Sequence, residues 1–468
     1  MDQVWPRVAS SMDTMSEGMG GSADFFGRIP LFREFARLMA TASGPVNWEL
    51  ARQVAVATAA GAEDLGMLPQ LPRPATAPDP GEARSWDDRL RLAELWIDPV
   101  TSLPATGVAL TARPVNRPDW AEAVLGGFAP MVEPGARRVA EALGTGAGAG
   151  PPGVGDMMGR VGGLVAGLQV GTLVGQLARS VLGQYELAMP ADDPAKVLLV
   201  PENVADFEQS AGLPGDQLRL WLACHQVAGQ RLLAGVPWLP EQLRRAVDEV
   251  ALQTEPDASQ MMDRLQSMDM ANPEALQELL AGGGEGLLGP PSAALQAATG
   301  RLEALLALTA GYTLVIAGRA LEGRLPGLGA IEGAVARRNA EPQSPARLFA
   351  LLLRADPDRA AATRGERFCR EVLGATDIDG LDRVWAHPEH LPTAEELDVP
   401  GRWLERAGLI GGEEVDLDEG LRALLEAEEA DRDQGEEDPG AESSPGTGTA
   451  EEGPEAGGPG DDPGDRPR

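Results

Sequence analysis

Apolar residues recur at helical spacing through much of this chain, and the clearest run lies near its middle. In QLRLWLACHQVAGQRLLAGVPW, residues 217–238, Leu218, Trp221, Leu222, Cys224, Val227, Leu232 and their neighbours share one broad face. That is the pattern of a helix packed on a core. Asp216, just before it, is the expected N-cap, and Gly235 with Pro237 supplies the stop.

The same spacing predicts further helices on either side. Asn47 caps a helix running to Ala60, and Trp86–Trp96 forms another with apolar positions at Leu90, Leu92 and Leu95. The segment from Asp119 into the 140s reads as helical, with a break at Pro134 and Gly135. Asn203 starts a helix, and the 240–253 helix turns Leu243, Val247, Val250 and Leu252 to a partner. Residues 257–270 and 274–280 follow as helices, then 302–320, 330–338, 344–353 and 360–372. In the 344–353 helix, Leu348, Phe349, Leu351 and Leu352 make the apolar face. Thr393 with Glu396 fits a capping box, and Trp403, Leu404 and Leu409 close the folded body. Only Val108–Arg113 and KVLLVP at 196–201 read as strands. Phe25–Met39 is a short amphipathic helix, expected to dock on the body rather than on a membrane surface.

Val161–Ala178 carries no charge, and Gly163, Gly167, Gly171 and Gly175 line one stripe of it. A membrane span needs about 20 strongly apolar residues. The glycines, glutamines and flanking Arg160 and Arg179 argue for a buried helix that another helix approaches closely. The reading is therefore no stable membrane insertion and, with no secretory leader at the N-terminus, a cytoplasmic protein.

Charge narrows the function classes. A formal net charge of -33 disfavours nucleic acid and anionic lipid as partners. The 2 cysteines, Cys224 and Cys369, read as reduced core thiols. The glycine-rich 144–155 stretch lacks the Lys-Ser/Thr ending of a phosphate loop. His387 and His390 are separated by Pro388, and without a cysteine or a well-placed carboxylate they make a weak metal signal.

His225 raises the sharper question. A zinc helix of the His-Glu-x-x-His type sets two imidazoles one turn apart, with a glutamate beside the first to polarise water. Here those places hold His225, Gln226 and Gly229. A neutral amide cannot take a proton from water as a carboxylate does, and glycine offers no ligand. Cys224 beside His225 is a poor nucleophile–base pair, because adjacent helical residues diverge by about 100° around the axis.

The segments GPVNWELARQVA from Gly44, VLGQYELAMP from Val181, LLVPENVADFE from Leu198, RRNAEPQSPARLFALLL from Arg337 and VWAHPEHLPTAEEL from Val384 resemble an actinobacterial zincin-like family. Its members carry the label zinc-dependent metalloprotease or hydrolase. The resemblance covers the whole folded part. It implies a zincin-like fold and a third ligand from a Glu-Gly-Tyr element, which here reads Ala310, Gly311 and Tyr312. It also implies that the 302–320 helix packs beside the His225 helix, bringing position 310 to the site. Cys224, His225, Gln226 and Tyr312 are then the expected pocket residues, with a core role the simpler reading of Tyr312.

The expected product is a mainly helical body with a few short strands over 44–410. An N-terminal lead precedes it at 1–43. An acidic, helical extension follows at 411–434, then a disordered Pro/Gly-rich acidic tail at 435–468. The expected function is that of a degenerate, non-catalytic relative with a binding or regulatory role toward a protein partner. No catalytic residue and no metal are expected, with His225 the one residual metal candidate. The alternative is a zinc-dependent peptidase or hydrolase with replacement ligands. The sequence does not give an oligomeric state.

Overall fold

A computed structural model describes residues 44–61, 80–105, 107–146, 154–187, 189, 193–254 and 292–410. The predicted helices at 25–39, 257–270 and 274–280 and the acidic extension and tail lie outside the described residues.

The described body is mostly helical. In chain order its helices are α1 (Trp48–Ala59), α2 (Pro80–Ile97), α3 (Arg117–Leu125), α4 (Ala129–Gly146), α5 (Val154–Ser180) and α6 (Pro201–Ala211). Then come α7 (Gly215–Gly235), α8 (Leu239–Gln253), α9 (Ala293–Leu321), α10 (Leu328–Ala340), α11 (Pro345–Leu352) and α12 (Ala362–Ala375). Three short helices finish it: α13 (Ile378–Asp382), α14 (Ala394–Asp398) and α15 (Pro400–Arg406). Strands β1 (Thr111–Pro114) and β2 (Lys196–Leu199) pair in parallel, Thr111 opposite Lys196 and Pro114 opposite Leu199. Parallel neighbours need a crossover, and α3, α4 and α5 provide it.

The glycine stripe of α5 works as its spacing suggests. It lies against α1, where a Cβ at Gly167 would come within 2.5 Å of the Asn47 carbonyl oxygen and one at Gly171 within 2.6 Å of that of Ala51. Asn47 caps α1 by accepting from the Leu50 N–H at 3.0 Å. Among the described residues, length and apolar composition single out α9, not α5, as a helix able to cross a membrane, yet 83% of its most apolar window is buried inside the protein.

Several local expectations are corrected. Asp216 does not cap α7: Pro214 occupies the N-cap, and Asp216 is exposed and paired with Arg89 at 2.9 Å. The break in the 119–146 region falls at a 3₁₀ turn, Gly126–Phe128, while Pro134 sits inside α4. Pro201 rather than Asn203 starts α6; the Asn203 amide is buried and donates to the carbonyl of Ala178 at 2.9 Å. Leu92, Leu95, Leu252 and Leu351 are exposed rather than core-facing. The predicted cap of the 393–398 turn holds, with Thr393 Oγ1 accepting from Glu396 N–H at 3.2 Å and Glu396 Oε2 from Thr393 N–H at 2.8 Å.

Helices α7 and α9 are the two most enclosed. Residues 221–233 of α7 are all buried, polar ones included, and α9 is buried from Leu302 to Thr309 and almost throughout to Leu321. They pack against each other, and α12 closes on the far side of α9. There the backbones meet at glycines: a Cβ at Gly311 would lie 2.1 Å from the Glu366 nitrogen, and one at Gly365 1.9 Å from the Ala307 carbonyl oxygen. The glycine of the Ala310-Gly311-Tyr312 element thus has a packing reason, since only a residue without a side chain permits this approach.

Candidate functional site

His225 is buried on α7 with its ring stacked on Trp221 one turn earlier, centroids 5.3 Å apart and planes 28° from parallel. Its Nε2 is 3.5 Å from Thr313 Oγ1 on α9, a long contact. The Thr313 hydroxyl donates to the Ala310 carbonyl at 2.8 Å. His225 Nδ1 is buried with no hydrogen-bond partner among the described residues. Burial pulls the imidazole pKa down to about 4, opposed by the Glu186 carboxylate and reinforced by Arg338. His225 is thus neutral at physiological pH.

Gln226 is fully buried, and its Oε1 accepts the Tyr185 N–H at 2.8 Å. Its Nε2 has no partner among the described residues. The amide is held by a 3₁₀ turn, Gln184–Glu186, that lies against α7. Gly229 meets the same turn: a Cβ there would be 2.5 Å from Tyr185 Cβ. A His-Glu-x-x-His helix carries a water-polarising carboxylate and a second imidazole at the corresponding positions; here the turn packs against both Gln226 and Gly229.

Between α7, α9 and that turn is a cavity of about 30 Å³, lined in part by Glu186, Gly229, Thr309, Ala310 and Thr313, with Leu232 and Phe349 among its apolar walls. On this measure one water needs roughly 10–15 Å³, so the space has room for ordered water. Helix α9 packs beside α7, and Ala310 and Gly229 both line this cavity. Of the other expected pocket residues, Cys224, His225, Gln226 and Tyr312 do not line this cavity. Burial pushes the Cys224 thiol up to about 12, leaving it protonated and unsuited to nucleophilic attack.

Tyr312 has a different neighbourhood. Its hydroxyl donates to Asp382 Oδ1 at 2.6 Å and lies 2.8 Å from Thr101 Oγ1, while its ring meets Trp385 edge-on at 5.3 Å. Asp382 Oδ2 also accepts from Thr101 Oγ1 at 2.9 Å and from the Ser102 N–H at 2.6 Å. Burial first, then the Asp382 charge, raise the phenol pKa. This buried network fastens residues 101–102 and 382 to α9.

The feature that sequence reasoning missed is the ion pair behind the turn. Glu186 Oε1 pairs with Arg338 Nη1 of α10 at 2.6 Å, with side chains 9% and 10% exposed. Its Oε2 accepts from the backbone N–H groups of Leu182 and, at 3.2 Å, Gly183. The only local signal is Glu186 standing three residues after Gly183, a capping-box spacing; nothing in the sequence links it to Arg338 across 152 positions.

These donors do not fit zinc. Structural and catalytic zinc sites gather three or four N, S or O ligands at roughly 2.0–2.3 Å. Here one imidazole stands alone, the nearby carboxylate is committed to Arg338 and two backbone donors, and Gln226 is bonded to the turn. Among the described residues no group of three or more His, Cys, Asp or Glu gathers to hold a metal. His387 and His390 are also a turn feature. His387 Nδ1 accepts from the Glu389 N–H at 3.3 Å, and His390 Nδ1 donates to the Arg383 carbonyl at 3.0 Å.

Residues 46–404 match the family model for zincin-like metallopeptidases. Among solved structures, the chain is similar to the crystal structure of a putative hydrolase with a novel fold from Chloroflexus aurantiacus. That likeness has a TM-score of 0.53 at 23% identity, over 78% of this chain and 100% of the other, and it concerns the fold. No curated protein matches.

Proposed function

Because this chain belongs to the zincin-like metallopeptidase family, we propose that it keeps the family scaffold without its bond-cleaving chemistry and serves a binding or regulatory role toward a protein partner. One observation carries the reading: the Gln184–Glu186 turn is bonded to Gln226 and packed on Gly229 beside a lone imidazole. A working zincin needs an open metal position, a bound water and a base. Gln226 cannot act as that base at neutral pH, and its acceptor oxygen is already engaged. A peptidase with replacement ligands would need carboxylates or imidazoles around His225, and the near one, Glu186, is neutralised by Arg338. The net charge of -33 supports a protein rather than a nucleic acid as the partner.

Digestion of an unbiased peptide library, with and without added zinc, separates the readings. The expected result is no zinc-dependent cleavage by either the full chain or His225→Ala. Zinc-dependent cleavage that is abolished by His225→Ala would instead establish an enzyme.

A further inference from the structure

We infer that the turn at Gly183–Glu186 has taken the space a second zinc-binding imidazole needs, so that putting the missing side chains back does not restore zinc. This rests on the reading of the present chain as a non-enzyme but makes a separate claim. The metal site is closed by packing, not merely emptied of ligands.

Position 229 decides it. A Cβ there would approach Tyr185 Cβ to 2.5 Å and the Tyr185 carbonyl oxygen to 3.2 Å. Non-bonded carbons rest at about 3.5–4.0 Å, so even alanine requires a shift, and an imidazole adds a whole ring beyond that Cβ.

The turn cannot easily withdraw, because it is anchored on three sides. Toward α7, the Tyr185 N–H is bonded to Gln226 Oε1 at 2.8 Å. Gly183 lies so near the same amide that a Cβ on it would be 2.6 Å from the amide carbon. Toward α10, Glu186 binds Arg338 while holding the Leu182 and Gly183 N–H groups. Toward β2, the Leu182 carbonyl accepts from Val200 N–H at 3.0 Å, and Gln184 Oε1 accepts from Leu198 N–H at 3.1 Å. Tyr185 itself is 4% exposed. Positions 226 and 310 are more permissive. A glutamate at 226 could keep the bond to Tyr185, and Ala310 borders the cavity. The obstruction is therefore specific to 229.

The test uses the full chain carrying Gln226→Glu, Gly229→His and Ala310→Glu together, beside the unaltered protein. Both are incubated with zinc chloride, dialysed and measured for zinc per chain by elemental analysis, with circular dichroism melts alongside. No stoichiometric zinc in either protein, and a lower melting temperature for the triple variant, is the expected result. One zinc per folded triple-variant chain, with none in the unaltered protein, would overturn this inference and leave the proposed function standing. Tight zinc in the unaltered protein would overturn the proposed function instead.

A second comparison covers failure of the triple variant to fold. Gly229→Ala should lower the melting temperature markedly in the Tyr185 chain and much less in a Tyr185→Gly background. Equal losses in both backgrounds would show that the turn does not obstruct position 229, and the inference would fall.

Discussion

Arg338→Ala is expected to cost about 3–5 kcal/mol of folding stability, the range for removing one partner of a buried ion pair. The guanidinium lies against Glu186 at 2.6 Å, donates to the Ser180 carbonyl and sits over the Phe207 ring at 5.4 Å. Its loss leaves the Glu186 carboxylate in a low-dielectric site with only the Leu182 and Gly183 N–H groups for partners. The same change should loosen the turn that covers Gln226 and Gly229. Urea denaturation at pH 7 measures the cost. A loss of under about 1 kcal/mol, the scale of a surface pair, would mean that the pair contributes little to holding the turn.

The second large effect is a loss of stability in mild acid that traces to one residue. His225 has its pKa lowered to about 4 by burial, while an unfolded histidine titrates near 6.5. Above pH 6.5 neither state takes the proton and His225 contributes no slope. Between 6.5 and 4 the unfolded chain is protonated and the folded one is not, so stability falls as pH falls. Below 4 both are protonated and the dependence flattens. The drop corresponds to about 3 kcal/mol. Paired carboxylates add their own acid loss, so the informative quantity is the difference between the native protein and His225→Gln. Denaturation at pH 7 and pH 4.5 should show the native protein losing about 2–3 kcal/mol more than the variant. Equal losses would place the imidazole in contact with water or with a partner that accepts its charge.

Much of this architecture was written locally. The apolar face of α7, the glycine stripe of α5, the Asn47 cap and the Thr393–Glu396 box each depend on residues within a few turns of one another, and the structure contains all four. Asp216 shows where local reasoning fails. Its side chain suits a cap, but Pro214 starts the helix, and Arg89, far off in sequence, takes the carboxylate. Leu252 and Leu351 fail for a related reason. Periodicity marks an apolar stripe, while the position of neighbouring helices decides how much of it is covered.

The site divides in the same way. That position 226 carries a neutral amide and position 229 no side chain is legible in the sequence itself. What packs against them was not legible. The Tyr185 turn and the Glu186–Arg338 pair come together only through tertiary packing across 152 positions. Tyr312 combines both cases. Its burial follows from an apolar helix, whereas its attachment to Asp382 and Thr101 spans 70 and 211 positions.

The most direct test of the account is the metal content of the native full-length protein, purified without chelators, dialysed and analysed for zinc against protein concentration. A neutral imidazole facing Thr313, an engaged Gln226 and a Gly229 packed on Tyr185 predict no stoichiometric, tightly held zinc. One zinc retained per chain, and lost on His225→Ala, would contradict it.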